Sequence, residues 1–143
     1  MPDGDATIIG RATAAQIAEL TARAKAASTR AYCPHSRFPV GAGLLTSTDE
    51  IYSGCNVENA SYGLTICAER NAVFHAVAEG MVATKTLVVY TPTPTPTATC
   101  GACRQVLNEF GPGAQVLCVC DGPETIELTV SELLPEAFGP ANP

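Results

Sequence analysis

Apolar residues recur along the chain with two periods, one typical of helices and the other of strands. Between Thr13 and Tyr32 apolar side chains return at helical spacing, which predicts a helix capped by Thr13. Two short apolar runs, joined by a polar turn, predict strands over residues 40–46 and 51–57. The same criteria predict helices over residues 67–79 and 101–110, strands over residues 85–91, 115–120 and 125–130, and a last helical turn over residues 131–134.

This alternation of helices and strands predicts the fold class. We expect an α/β fold, with one three-layer α/β/α domain over residues 1–143 and a mixed central sheet of about five strands. Residues 1–12 are expected to be disordered, and the Thr-Pro run to form a stiff surface loop over residues 92–99. The inward face of the helix over residues 67–79 is expected to consist of Ala68, Ala72, Val73, Ala76 and Val77.

Composition and charge restrict the possible partners. Of the 143 residues, 46% are hydrophobic and only 15% are charged, which suggests that part of the surface is covered in an oligomer. The net charge of −6 argues against a nucleic-acid binder, because tracking phosphates requires a basic stripe. A small neutral substrate remains compatible with this composition.

The acidic start of the chain is unlike a signal peptide, and no apolar run is long enough to span a membrane. We therefore expect a cytoplasmic protein with reduced thiols. Of its seven cysteines, four are interpreted as small core or strand-end residues: Cys33, Cys55, Cys118 and Cys120.

The other three cysteines indicate metal chemistry. Cys67 is followed 33 positions later by Cys100 and then by Cys103, which gives three soft ligands suited to one zinc ion. Catalytic zinc sites hold three protein ligands and leave a position for water. Glu69 lies two residues from Cys67, a spacing at which side chains on a helix diverge and do not chelate together, but it can reach the water as a general acid and base. The motifs therefore predict a hydrolytic zinc centre.

Both cysteine motifs fall at predicted helix starts, where free N–H groups and the helix dipole favour thiolates. Three thiolates give a divalent ion an excess of negative charge, which weakens its effect on a bound water. Arg70 is placed to offset that charge by hydrogen bonding to sulfur, with Arg104 as the weaker candidate. A solvated surface charge is an equally acceptable interpretation of Arg70.

Other interpretations of the cysteines stay open at this point. Cys100 and Cys103 alone would also suit a redox dithiol, although this leaves Cys67 unexplained. A structural zinc in an interaction module without catalysis would require a fourth ligand and no role for Glu69. His75 lies about 12 Å along the helix from Cys67, too far to share the metal, whereas His35 in a loop is not excluded by geometry.

Four motifs in order resemble the short, homotetrameric cytidine deaminases of nucleoside salvage. The resemblance covers nearly the whole chain, from Ala31 to the tail around Phe138. The motifs are Phe38-Pro39-Val40-Gly41-Ala42, Gly54-Cys55-Asn56-Val57-Glu58-Asn59-Ala60, Cys67-Ala68-Glu69-Arg70 and Cys100-Gly101-Ala102-Cys103-Arg104-Gln105.

The resemblance implies one zinc per chain on Cys67, Cys100 and Cys103, with Glu69 as the proton shuttle. The implied reaction is hydrolytic deamination of cytidine and 2′-deoxycytidine to uridine and 2′-deoxyuridine, with release of ammonia. It also implies a homotetramer whose sites are shared between subunits, a nucleoside substrate, and no nucleic-acid or membrane partner.

For substrate binding, the resemblance implies that Asn56 and Glu58 bind the ribose hydroxyls and that Phe38 stacks near the base. Ala68 is assigned to the same set of contacts, and Phe138 to closing the site of a neighbouring subunit. The residues agree in one respect: Asn56 and Glu58 are two apart on a predicted strand, so both would point to one face.

One position departs from the zinc deaminase signature, which has proline directly before the second cysteine pair. Thr99 stands there in this chain, and threonine has a free N–H and a less restricted φ than proline. We expect the wall near the departing ammonia to be shaped differently.

Two other substrate classes are alternatives. The first is an aminopyrimidine nucleoside antibiotic such as blasticidin S, which Asn56 and Glu58 disfavour because they suit an ordinary ribose. The second is a single-stranded polynucleotide, which the acidic charge of the chain disfavours.

Overall fold

Helices and strands alternate along the computed structural model, which describes residues 10–139. Every predicted helix and strand is present, with ends shifted by a residue or two. The strands are β1 (Gly41–Thr46), β2 (Ile51–Cys55), β3 (Thr84–Tyr90), β4 (Gln115–Val119) and β5 (Ile126–Thr129). The helices are α1 (Ala14–Ser28), α2 (Ala68–Ala78), α3 (Gly101–Phe110) and α4 (Val130–Leu133), and a 3₁₀ turn spans Tyr62–Leu64.

The strands form one mixed sheet in the order β2-β1-β3-β4-β5. The β3–β4 pair is parallel and the other three pairs are antiparallel. Along β1, Leu44 packs into a core cluster with α2 and α3, and Leu45 packs into a second cluster with α1. Helices therefore cover both faces of the sheet, which confirms the predicted three-layer α/β/α architecture.

Glycines allow two helices to approach the sheet closely. A Cβ atom at Gly41 would collide with the Ala24 carbonyl of α1, and one at Gly54 would collide with the backbone of α2 at Ala72. All six residues of β1 are buried as a result. The close contact with β2 fixes α2 against the sheet, and with it the cysteine at the start of α2.

Two details of the sequence prediction were wrong. Strand β2 ends at Cys55 and does not continue to residue 57, since Val57 forms isolated bridges to Tyr32 and Ile66 instead. Val77 was expected in the core but is 41% exposed, because the inward stripe of α2 is narrower than the run of apolar residues. Phe74 of the same helix is also exposed.

The two special segments of the prediction can be placed only in part. Of the segment expected to be disordered, residues 1–9 lie outside the described residues, and Arg11 Nη1 lies 2.8 Å from Glu127 Oε2. The Thr-Pro segment forms an irregular loop anchored by hydrogen bonds such as that from the Asp121 N–H to the Thr93 carbonyl. None of the helices in the described range has the length and apolar character to cross a membrane.

Candidate active site

Three cysteine sulfurs converge at the ends of two helices. Cys67 is the N-cap of α2, Cys100 is the N-cap of α3, and Cys103 lies in the first turn of α3. Their Sγ atoms all lie within 4.8 Å of one another, and those of Cys67 and Cys100 are 3.8 Å apart. Neither N-cap side chain is used to cap its own helix, so both sulfurs remain available to a metal ion.

The number of ligands favours an open metal site. Within residues 10–139, no further His, Cys, Asp or Glu joins this cluster. His35 packs edge-on against Tyr62, with ring centroids 5.5 Å apart, and His75 packs in the same manner against Tyr52. A set of three sulfurs is the composition of a catalytic zinc site with one position left for water.

The electrostatics of the cluster favour a thiolate. Hydrogen bonding from the Cys103 thiol, with a further contribution from Arg70, lowers the pKa of Cys67 to about 5. The pKa of Cys103 is raised, because its proton is shared with Cys67 and its side chain is buried. Zinc binds deprotonated sulfur, so the lowered pKa of Cys67 and the convergence of the three Sγ atoms fit the ion. By contrast, burial raises the pKa of the separate Cys118 thiol to about 11.

Arg70 supplies the positive charge beside the cluster. Its Nη2 lies 3.6 Å from the Cys67 sulfur, one turn along α2. The Nε of Arg70 is buried and has no hydrogen-bond partner among the described residues. The guanidinium therefore contacts the Cys67 sulfur from a half-buried position, which supports its interpretation as a neighbour of the metal ligands.

Glu69 is buried next to the cysteines at the start of α2. Its side chain is only 6% exposed, and burial, helped by the negative charge of Cys67, raises the pKa of Glu69 to about 7. A carboxyl group with such a pKa can both accept and release a proton near neutral pH. Glu69 also lines the wall of a cavity at this site.

That cavity has a volume of about 390 Å³ and contains most of the predicted site residues. Glu58 lines an adjoining cavity of about 350 Å³, and Ser36 and Thr65 border both. Phe138 lines neither cavity. The predicted site residues in the wall of the larger cavity are Phe38, Asn56, Cys67, Ala68, Glu69 and Cys100.

Asn56 and Glu58 lie just beyond the end of β2, and both are buried. The Asn56 amide accepts a hydrogen bond from the Val40 N–H at 2.9 Å and donates one to the Phe38 carbonyl at 2.9 Å. The Glu58 carboxylate accepts hydrogen bonds from the backbone N–H of His35 and from the N–H and hydroxyl of Ser36. The two side chains therefore fix the loop that carries Phe38.

Ser36 was not singled out in the sequence. Its hydroxyl donates to Glu58 and accepts a hydrogen bond from the Phe38 N–H at 3.1 Å, so it connects two of the predicted substrate contacts. These hydrogen bonds hold the Glu58 pKa below its ordinary value, against the opposing effect of burial. A serine in an irregular loop carries no local signal of such a role.

The C-terminal segment packs along α3. The Gln105 side chain donates to the Phe138 carbonyl at 3.0 Å, while the Phe138 ring is 86% exposed. Arg104, considered above as a partner for the sulfurs, instead contacts Thr99 and Leu133. The structure therefore brings the cysteines, Glu69 and Arg70 together and leaves Phe138 outside the cavity of its own chain.

Comparison with known proteins agrees with this geometry. Residues 14–119 match the family of the cytidine and deoxycytidylate deaminase zinc-binding region. The chain belongs to this family, and it is a zinc-binding protein of the deaminase class.

Relatives and solved structures match over most of the chain. A cytidine deaminase of Sporosarcina psychrophila is 46% identical over 123 residues, which cover 85% of this chain and 90% of the relative. A probable cytidine deaminase of Dictyostelium discoideum is 49% identical over 109 residues, covering 76% of this chain and 74% of the relative. The crystal structure of cytidine deaminase from Burkholderia pseudomallei superposes with a TM-score of 0.81 at 44% identity, covering 85% of this chain and 98% of that one.

Proposed function

We propose that this protein is a cytidine deaminase, which hydrolyses cytidine and 2′-deoxycytidine to uridine and 2′-deoxyuridine with release of ammonia, in pyrimidine salvage. The observation that carries the proposal is the buried Glu69 carboxyl in the same cavity wall as Cys67 and Cys100, two members of the cluster of three cysteine sulfurs. The similarity to relatives named as cytidine deaminases supports the choice of substrate.

Cys67, Cys100 and Cys103 would hold one zinc ion per chain. When bound, zinc lowers the pKa of its water to about 7 and so supplies a nucleophile at neutral pH. The N-termini of α2 and α3 and the guanidinium of Arg70 offset the negative charge of the three thiolates. A redox dithiol would require only Cys100 and Cys103 and would leave Cys67 without a role. The arrangement therefore suits hydrolysis better than redox chemistry.

Glu69 moves the protons. With a pKa of about 7, its carboxylate can accept a proton from water and deliver it to N3 of the cytosine ring, which makes C4 electrophilic. The oxygen of the water bonds to C4 as N3 is protonated. The proton that remains on that oxygen then passes through Glu69 to the 4-amino nitrogen, so that the C4–N bond breaks, ammonia leaves and a carbonyl remains at C4. Burial serves both steps, since exclusion of water strengthens the electrostatic interaction between the carboxyl and the ring.

Substrate contacts are assigned to the cavity walls. Phe38 would stack near the base, and the backbone at Ala68 would contact it from the start of α2. Asn56 and Glu58 would bind the ribose hydroxyls with the hydrogen-bonding capacity that the loop over residues 35–40 leaves free. A carboxylate at that position suits a neutral sugar diol and repels phosphate, which agrees with a nucleoside substrate and no nucleic-acid partner.

The active unit is proposed to be a homotetramer with shared sites. Phe138 is exposed on its own chain and would close the site of a neighbour. Exposed apolar side chains at Tyr62, Leu64 and Phe74 support coverage of the surface by other subunits.

The described cysteines are all free thiols, which supports a reducing, cytoplasmic location.

The test is the fall in ultraviolet absorbance when cytidine is mixed with the zinc-loaded protein. Cytidine and 2′-deoxycytidine should both be converted, whereas single-stranded DNA and blasticidin S should give little change. Absence of turnover with every nucleoside, together with full zinc occupancy, would support the alternative of a zinc-stapled interaction module. Conversion of single-stranded DNA in preference to cytidine would overturn the assigned substrate.

A further inference from the structure

Thr99, the residue in place of the signature proline, lies in a constrained environment directly before Cys100. Its side chain is 4% exposed, although the neighbouring loop residues Thr97 and Ala98 are exposed. Cys100 itself ends the loop and starts α3 as its N-cap. A change in the backbone dihedral angles of Thr99 would therefore move the sulfur of Cys100.

The guanidinium of Arg104 reaches back over the first turn of α3 to this residue. Its Nε donates to both the carbonyl and the hydroxyl of Thr99, at 3.0 and 3.1 Å. Its Nη1 donates to the Leu133 carbonyl of α4 at 3.1 Å. One side chain thus ties the loop before Cys100 to the helix that carries Cys103 and to the C-terminal segment.

A proline and a threonine would restrict this loop by different means. Proline fixes φ through its ring, whereas threonine leaves φ free and is restricted chiefly at χ1. Proline would also retain the carbonyl that Arg104 contacts, but it has no hydroxyl to offer. The hydroxyl of Thr99 is the additional acceptor, and its bond to a charged donor is of the stronger, charge-assisted kind.

We propose that Thr99 and Arg104 are positioning residues that hold Cys100 ready for zinc, and that their hydrogen-bonded pair replaces the restraint that proline would provide. The pair acts on the metal through Cys100 and does not touch the substrate. This inference rests on the zinc ligands assigned under the proposed function.

The test measures how fast zinc passes from the holoenzyme to the chromogenic chelator 4-(2-pyridylazo)resorcinol. Thr99→Val keeps the shape and removes the hydroxyl, and it should release zinc about tenfold faster, as expected for losing one charge-assisted hydrogen bond. Thr99→Ser restores the hydroxyl and should release zinc at nearly the wild-type rate. Thr95→Val makes the same change at an exposed position of the loop and serves as the control.

A double-variant comparison tests whether the two residues act as a pair. Arg104→Met removes every donor and keeps the apolar stem, so it should also speed zinc release. Adding Thr99→Val to Arg104→Met should then have little further effect, because the hydroxyl has already lost its partner. The visible absorption bands of the cobalt-substituted protein should shift in Thr99→Val and return in Thr99→Ser, since they report the geometry at the sulfurs.

Three results would overturn the proposal: a wild-type release rate in Thr99→Val, equal acceleration by Thr95→Val, or fully additive effects in the double variant. An unshifted cobalt spectrum in Thr99→Val would also count against it. If Thr99→Val does not fold, the release rate of Arg104→Met decides the question. Cys100→Ser tests the zinc ligands separately from the positioning pair. Full zinc retention in that variant would refute Cys100 as a ligand, and with it the basis of the proposal.

Discussion

The guanidinium of Arg70 lies 3.6 Å from the Cys67 sulfur, so a positive charge stands beside the thiolate that begins helix α2. Three thiolates on one zinc ion would give the site an excess of negative charge, which the guanidinium of Arg70 would partly offset through this hydrogen bond. We therefore expect Arg70→Gln to lower turnover of cytidine about 10- to 100-fold, the range usual for residues that support metal ligands.

The measurement is kcat together with zinc content for Arg70→Gln, with the exposed Arg30→Gln as the matched control. Arg30→Gln should behave like the wild type. Wild-type turnover in Arg70→Gln would show that Arg70 is an ordinary solvated charge with no effect on the metal site.

The ligand assignment predicts a sharp difference between two buried cysteines. Cys103→Ala should lose most of its zinc, because only two sulfurs of the cluster then remain. Cys118→Ala removes a buried thiol of β4 that lies outside the cluster, and it should keep one zinc per chain. Metal analysis of both purified proteins makes the comparison. Full occupancy in Cys103→Ala would remove this residue from the ligand set.

Glu69→Gln keeps the size of the side chain and removes its ability to carry protons. Zinc should stay bound, while kcat should fall at least about 10²- to 10⁴-fold, the usual contribution of general acid and base catalysis. Glu79→Gln, at the other end of α2, is the control and should retain normal turnover. Near-native turnover in Glu69→Gln would refute the assigned proton transfers.

The lowered pKa of Glu58 predicts how the free energy of unfolding depends on pH. Hydrogen bonds from Ser36 and His35 lower the pKa of Glu58 below its ordinary value of 4.5, so the carboxylate form stabilises the folded state. This contribution is present above the unfolded pKa and is lost as the pH falls through the lower, folded pKa. Wild type should therefore be more stable than Glu58→Gln at neutral pH, and the difference should shrink in acid.

Urea unfolding of both proteins between about pH 7 and pH 3 measures the two free energies of unfolding. Glu109→Gln changes an exposed carboxyl of α3 and controls for the change in overall charge. A difference between wild type and Glu58→Gln that does not vary with pH would show that the charge of Glu58 is unimportant for the loop.

The proposal of shared sites predicts complementation between two defective chains. Phe138→Ala should raise KM about tenfold, a loss of roughly 1.4 kcal/mol, and should leave zinc content unchanged. Mixed tetramers of Phe138→Ala and Glu69→Gln chains should regain activity, because one chain supplies Glu69 and its neighbour supplies Phe138. Each variant reassembled with itself is the control. A fully active monomer in sedimentation would contradict the shared site.

The sequence by itself determined the elements and the reactive cluster. Periodicity and caps are local properties, so the helices and strands were predicted to within a residue or two. The cysteines at positions 67, 100 and 103 sit at helix starts, and their chemistry admits few alternatives to zinc. With Glu69 two residues from Cys67, the class of reaction could be inferred before any contact was known.

Tertiary structure decided what depends on contacts between distant parts of the chain. Asn56 meets the backbone of Phe38 across 18 positions, Arg104 meets Leu133 across 29, and Val77 is exposed because the sheet covers only part of α2. No local pattern encodes these partners, since they form only when separate loops are brought together by the packed sheet. Arg104, the weaker sequence candidate for hydrogen bonding to the sulfurs, contacts Thr99 and Leu133 instead, and only the folded structure shows these partners.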